Sequence, residues 1–250
     1  MSRLRPAVVT VGDELILGEL QNANNQEWMF QLFQHHHCPA EIGLTLPDEL
    51  KVIARWIREL KKRNYFPIFV SGGIGGTHDD CTREGIAKGL GVSLTRHEDC
   101  YQQLAKRYQE RFNLERQRMA WLPEECALIP NPYGAPGFQA RGVYGFPGFP
   151  KMLQAMAPAC LEALLQQTPP PEWLQEEVSF DLSEGQISRV VEDFAQAWPK
   201  VRLGIYADAK STSPRVTLRL RYLKTHPEAL TAFHEMIRDF RDLKPEKKVL

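Results

Sequence analysis

Between Ser71 and Asp80 the chain gathers Gly72, Gly73, Gly75, Gly76, Thr77, Asp79 and Asp80, within the stretch SGGIGGTHDDCTREG. An apolar run, YFPIFV (Tyr65 to Val70), precedes it, and a helical pattern resumes near Thr82. A glycine-rich turn between a strand and a helix brings backbone N–H groups close to an anion, and the positive end of the helix adds to the attraction. That is phosphate-binding chemistry. Two aspartates beside a phosphate make sense if Asp79 caps the helix while Asp80 holds a metal ion or acts on the substrate. The spacing matches neither GxGxxG nor GxxxxGK[ST]. The alternative is a tight turn, since glycine and aspartate are common turn residues.

A second segment, AVVTVGDELILGEL, breaks from a β-branched run at Gly12-Asp13-Glu14, so carboxylates again follow the carboxyl end of a strand. In open parallel sheets ligands sit in that crevice, where two acidic strand ends can converge. NPYGAPGF (Asn131 to Phe138) and FPGFPKM (Phe146 to Met152) carry Pro and Gly at densities that fix loop shape. Asn131 and Lys151 are their polar groups; each loop alone also reads as a structural turn.

Together, GDEL, Asn24, GGIGGTHDDCTREG, PNPYGAPGF and PGFPKM resemble the signature stretches of the CinA (competence/damage-inducible) N-terminal domain, within the molybdopterin-binding (MoaB/Mog-like) superfamily. The resemblance covers roughly residues 5 to 165. It implies a phosphorylated nucleotide or pterin ligand, with Gly72, Gly73, Gly75, Gly76 and Thr77 on the phosphate and Asn24, Asn131, Gly137, Pro147, Gly148 and Lys151 around the substrate. It also implies a metal-dependent pyrophosphatase of the ADP-ribose or FAD type: Asp80 and Asp13 catalytic, and Asp80, Asp13 and Glu14 holding a divalent ion of the Mg, Mn or Co type. The other reading is a molybdopterin- or nucleotide-binding protein that adenylylates or does not turn over. Two departures favour it: the family's GGxGPT appears as Gly72 to Thr77 with Gly76 for proline, and its D-T-N as Asn22-Ala23-Asn24. The family's amidohydrolase domain is not expected in this chain.

Thirty-one basic and thirty-one acidic residues balance to zero, which gives no global footprint of a nucleic-acid binder. No apolar run reaches the ~18 residues that span a bilayer, and MSRLRP leads straight toward a strand, so a cytoplasmic protein is expected. Five widely spaced cysteines without a CxxC pair suit reduced thiols. Three consecutive histidines, His35 to His37, point about 100° apart on a helix and read as its polar end rather than a metal site. Cys81 has no His partner in evidence and reads as a small buried residue.

The apolar pattern alternates: strand 6–11, helix 24–34, strand 40–46, helix 48–62, strand 66–71, helix 79–89. Helix follows over 97–120, then short strands CALIP, GFQAR and VYGF, and a last helix from Lys151 to Leu165. The fold expected is α/β: a three-layer, doubly wound, mostly parallel sheet over 1–165, a Pro-rich linker over 166–173, and a small α+β domain of βαββα order over 174–250. The apolar PGFPKMLQAM segment and the resemblance imply a homo-oligomer, most simply a dimer.

Overall fold

In the computed structural model, residues 4–19, 25–170, 172–208 and 214–243 are described. The chain divides into two compact units, Met1–Pro170 and Pro171–Leu250.

The first unit runs β1 (Ala7–Val11), α1 (Asp13–Ile16), α2 (Asn25–His35), β2 (Ile42–Leu46), α3 (Leu50–Lys62), β3 (Ile68–Ser71), α4 (Thr82–Leu90), β4 (Leu94–Arg96), α5 (Glu98–Tyr108), α6 (Leu114–Arg118), β5 (Trp121–Pro123), β6 (Ala127–Ile129), β7 (Gly137–Ala140), β8 (Val143–Phe146) and α7 (Pro150–Gln167). Six strands form the main sheet in the order β2-β1-β3-β8-β7-β6. The first four are parallel, and β7 is antiparallel to both β8 and β6. All five residues of β1 are buried, as a central strand covered on both faces requires.

Alternation along β1 divides two cores. Ala7, Val9 and Val11 face a cluster with Ile53, Ile57 and Leu60 of α3, whereas Val8 joins Met29 and Phe33 of α2 and Leu153 and Leu161 of α7. The layers are helix, sheet, helix. On the α3 side, Gly85 and Gly89 lie one turn apart on α4, and a Cβ at either would come within 2.7 Å of Ile53 or Ile57. Missing side chains let α4 press against α3, which sets where α4 begins. That in turn places the loop from Gly72 to Asp80.

Three expectations need correction. The helix expected over 97–120 is broken: Gln109 has φ 50°, and Asn113 accepts a hydrogen bond from Arg116 N at 3.2 Å to start a separate helix. The helix expected from 79 begins at Thr82, because Asp79 and Asp80 belong to the loop. α7 also runs on to Gln167, and Trp173 already belongs to the next strand.

The second unit contains β9 (Trp173–Phe180), α8 (Glu184–Ala197), β10 (Arg202–Ala207), β11 (Val216–Leu223) and α9 (Glu228–Arg238), in the sheet order β10-β11-β9. Ser183 and Gln186 form a capping box that starts α8. Among the described residues no helix is long and apolar enough to cross a membrane.

Candidate functional site

The carboxyl ends of β1, β3 and β8 open into a cleft of about 910 Å³. Its floor is the glycine loop. Gly72 and Gly73 have φ of 108° and 64°, a region that costs other residues strain. Beyond that cost, a Cβ at Gly72 would strike the Val11 carbonyl, and one at Gly76 would strike the Glu115 carbonyl. The loop therefore lies directly on neighbouring backbone.

Four side chains hold it there. Arg83, 6% exposed, reaches up from the first turn of α4 and donates to Gly75 O at 2.6 Å, to Trp121 O at 3.2 Å and to Arg118 O. Burial pushes its pKa down while the Asp80 charge opposes; the guanidinium stays charged. Asp80 turns back, and its Oδ2 accepts from Thr77 N at 2.8 Å and from the Thr77 hydroxyl. Asn25 donates to Ser71 Oγ at 3.1 Å and to Gly148 O at 2.7 Å, while Ser71 donates to Pro147 O at 3.0 Å. These bonds tie the end of β3 to the β8–α7 turn. Among the described residues, the N–H groups of Gly73, Ile74, Gly75 and Gly76 donate no hydrogen bond. Such a row of open amides beside a helix N-terminus is an anion-binding concavity.

The acidic rim comes from β1 and β2. Asp13 and Asp48 exchange bonds, Asp13 N to Asp48 Oδ2 and Asp48 N to Asp13 Oδ1, both at 3.0 Å. Burial pushes the Asp48 carboxyl up, and the charges of Asp13, Glu14 and Asp79 push the same way against a backbone bond from Asp13. Asp79 is held below the usual range, first by the Thr77 hydroxyl. Beside them Thr82, fully buried, keeps its hydroxyl without a partner among the described residues. Burial and the Asp48 charge push the Cys81 thiol up to about 11, so it stays protonated at neutral pH. The opposite wall is apolar: Tyr108, Met119, Tyr133, Phe149 and Met152.

Gly72, Gly73, Gly75, Gly76, Thr77, Asp80, Glu14, Pro147 and Gly148 thus share one cleft. Other expected positions fall elsewhere. Asp13 is exposed and does not line the cleft; it exchanges hydrogen bonds with Asp48. Asn131 spends its side chain inside its own loop, donating to Ala135 O at 2.8 Å and accepting from Tyr133 N at 2.9 Å. Gly137 is buried in β7 against Gly145 and does not line the cleft. Lys151 lies over the Tyr133 ring at 4.3 Å. Asn24 and Asn22 lie outside the described residues. The reading of Asp79 as helix cap is corrected: Cys81 holds the N-cap position, with no side-chain cap bond. Of the residues expected to hold a metal, Asp80 and Glu14 line the cleft and Asp13 does not. Among the described residues no three His, Cys, Asp or Glu side chains are grouped as a ready metal site; Asp13 Oδ1 accepts from Asp48 N, and Asp80 Oδ2 accepts from Thr77 N.

The model of the probable molybdopterin-binding domain family matches residues 7–167. The solved structure of the CinA protein of Thermoplasma acidophilum superposes with a TM-score of 0.59 at 32% identity, covering 64% of this chain and 98% of that one. The chain belongs to the molybdopterin-binding domain family, in its CinA-like branch. A CinA-like protein of Geobacter is 31% identical over 237 residues, which cover 91% of this chain and 56% of the relative. A protein of Metallosphaera sedula is 35% identical over 177 residues, 68% of this chain and 66% of its own length. This CinA-like chain therefore spans just over half of the first relative and about two thirds of the second.

Asp48, Asn25 and Arg83 are the site residues that sequence reasoning missed. Asp48 carried a usable signal: it follows β2 in TLPDEL, a third acidic strand end. Arg83 carried none, since a charged residue in a first helical turn reads as solvated.

Proposed function

We propose that the first unit binds a small phosphorylated molecule bearing a flat heterocycle, a pterin or a nucleotide. The phosphate sits on the amides of residues 73–76, and the ring lies against Tyr108, Tyr133 and Phe149. The observation that carries this reading is the row of undonated N–H groups on the floor of a cleft whose far wall is aromatic and thioether. Calorimetric titration with molybdopterin, ADP-ribose and FAD tests it. Binding of at least one ligand, weakened tenfold or more in Gly73→Val, is expected; no binding of any of them sinks the reading.

A second reading, cleavage of a diphosphate linkage, is favoured by the carboxylates of Glu14, Asp48, Asp79 and Asp80 lining the same cleft. A divalent ion would supply charge neutralisation and an activated water. Among the described residues these side chains do not form a ready three-ligand set. Release of AMP from ADP-ribose or FAD, assayed with and without magnesium, manganese and cobalt, decides this reading. Binding without turnover leaves a binding module.

A further inference from the structure

The second unit presents a surface that the cleft does not use. Its core packs Ile187, Val191 and Phe194 of α8 and Phe233 of α9 against Val216, Leu218 and Leu220 of β11. Alternation then turns Thr217, Arg219 and Arg221 to the opposite face, and among the described residues of the unit no helix covers it. The antiparallel register sets Arg202 opposite Arg221, Gly204 opposite Arg219 and Tyr206 opposite Thr217. On the other side Trp173, Gln175 and Glu177 stand opposite Leu223, Arg221 and Arg219.

The charges on this face do not cancel. Arg219 pairs with Glu177 at 2.5 Å. Arg202 and Arg221 stand side by side, an arrangement that costs stability when nothing intervenes. Arg221 donates to the neutral Gln175 at 2.8 Å, and Arg202 lies 5.6 Å from the centre of the Trp173 ring. Neither meets a carboxylate among the described residues. The aromatic groups are laid flat: Tyr206, 50% exposed, leans over Gly204, where a Cβ would come within 2.9 Å of the ring, and Arg219 stacks on it at 4.7 Å.

We propose that this sheet face binds single-stranded nucleic acid, a phosphate lying between Arg202 and Arg221 and bases stacking on the layers built from Trp173 and Tyr206 with their arginines. Guanidinium and aromatic planes are the surfaces on which unpaired bases stack, and two unmatched cations fit a phosphodiester. An acidic peptide would meet the charges but has no use for the planes. A duplex hides its bases from a flat face. Zero net charge over the whole chain does not register a local face whose aromatic residues come from β9 and β10, which the sheet brings alongside β11.

The test is fluorescence anisotropy of the full chain with labelled oligothymidylate and oligouridylate of about twenty nucleotides, beside a duplex of equal length. The result expected is binding that prefers the single strand, with a salt slope lowered by about 0.7 in the Arg202→Gln/Arg221→Gln double variant. That variant should bind about tenfold more weakly, and Trp173→Ala about fivefold, with unchanged circular dichroism. Gly73→Val, in the other unit, should bind the strand as the parent does. No binding by the parent at low salt, equal binding by the double variant, or full competition by oligoglutamate of the same charge would overturn the proposal.

Discussion

The glycine loop after β3 and the acidic loop after β1 end neighbouring parallel strands, yet they are held in opposite ways. In the glycine loop side chains support backbone from below: Arg83 grips carbonyls, and Asp80 folds onto Thr77. Its amides are left open. In the acidic loop the amides are consumed, because Asp13 and Asp48 each accept the other's N–H, and carboxylate is what remains on offer. One strand end presents donors and its neighbour presents negative charge. On the proposed reading, a ligand phosphate would be drawn to one side of the cleft and repelled from the other, which would orient it.

The contrast breaks most severely at Arg83. Arg83→Met removes charged donors from the carbonyls of Gly75, Trp121 and Arg118 in a buried setting. The expected loss is about 3 kcal/mol, from two or more bonds to a charged group at roughly 1.5 kcal/mol each. Chemical denaturation measures it, and a loss under about 1 kcal/mol would mean that the loop stands without the grip. Gly72→Ala should cost about 2 kcal/mol, since φ of 108° and the Val11 carbonyl both oppose a Cβ. Its ligand affinity should fall as well, by calorimetry.

The acidic side sharpens the comparison through pH. Asp48 has its pKa raised in the fold, so between the ordinary value of 3.8 and that raised value the native state binds more protons than the unfolded one. Stability contributed by this carboxyl thus falls as pH rises through that window and stays reduced above it. Asp48→Asn should melt higher than the parent at pH 7, and the gap should close below the unfolded value. A constant gap at all pH values would show that the effect is not ionisation. The smallest effect belongs to Asp79→Ala. Without a cap to lose, it should leave stability within about 0.5 kcal/mol. Asp80→Asn, which disturbs the bond from Thr77, should lower ligand affinity more than Asp79→Ala does.

Periodicity made the parallel core legible: the β1 run, the stripe of Ile53, Ile57 and Leu60, and the glycine loop between β3 and α4 are all local patterns. The βαββα order of the second unit was legible for the same reason. What failed was non-local. Gln109 at positive φ gives no warning in sequence, so the long helix over 97–120 ran through a real break. Asp79 and Asp80 are equivalent as letters, and only the turn decides which one folds onto Thr77. Arg83 is read as a surface charge until the backbone of residues 118–121 arrives above it.

The antiparallel excursion β6–β7–β8 has a consequence of another kind. The Tyr133 wall hangs from a loop that Asn131 stitches to itself, outside the parallel strands that carry the glycine loop. On the proposed reading, grip and discrimination would come from separate stretches of chain. Substitutions in residues 131–135 could exchange one heterocycle for another while the anion seat is passed on intact, which leaves this scaffold open to changing its ligand without first losing its hold on one.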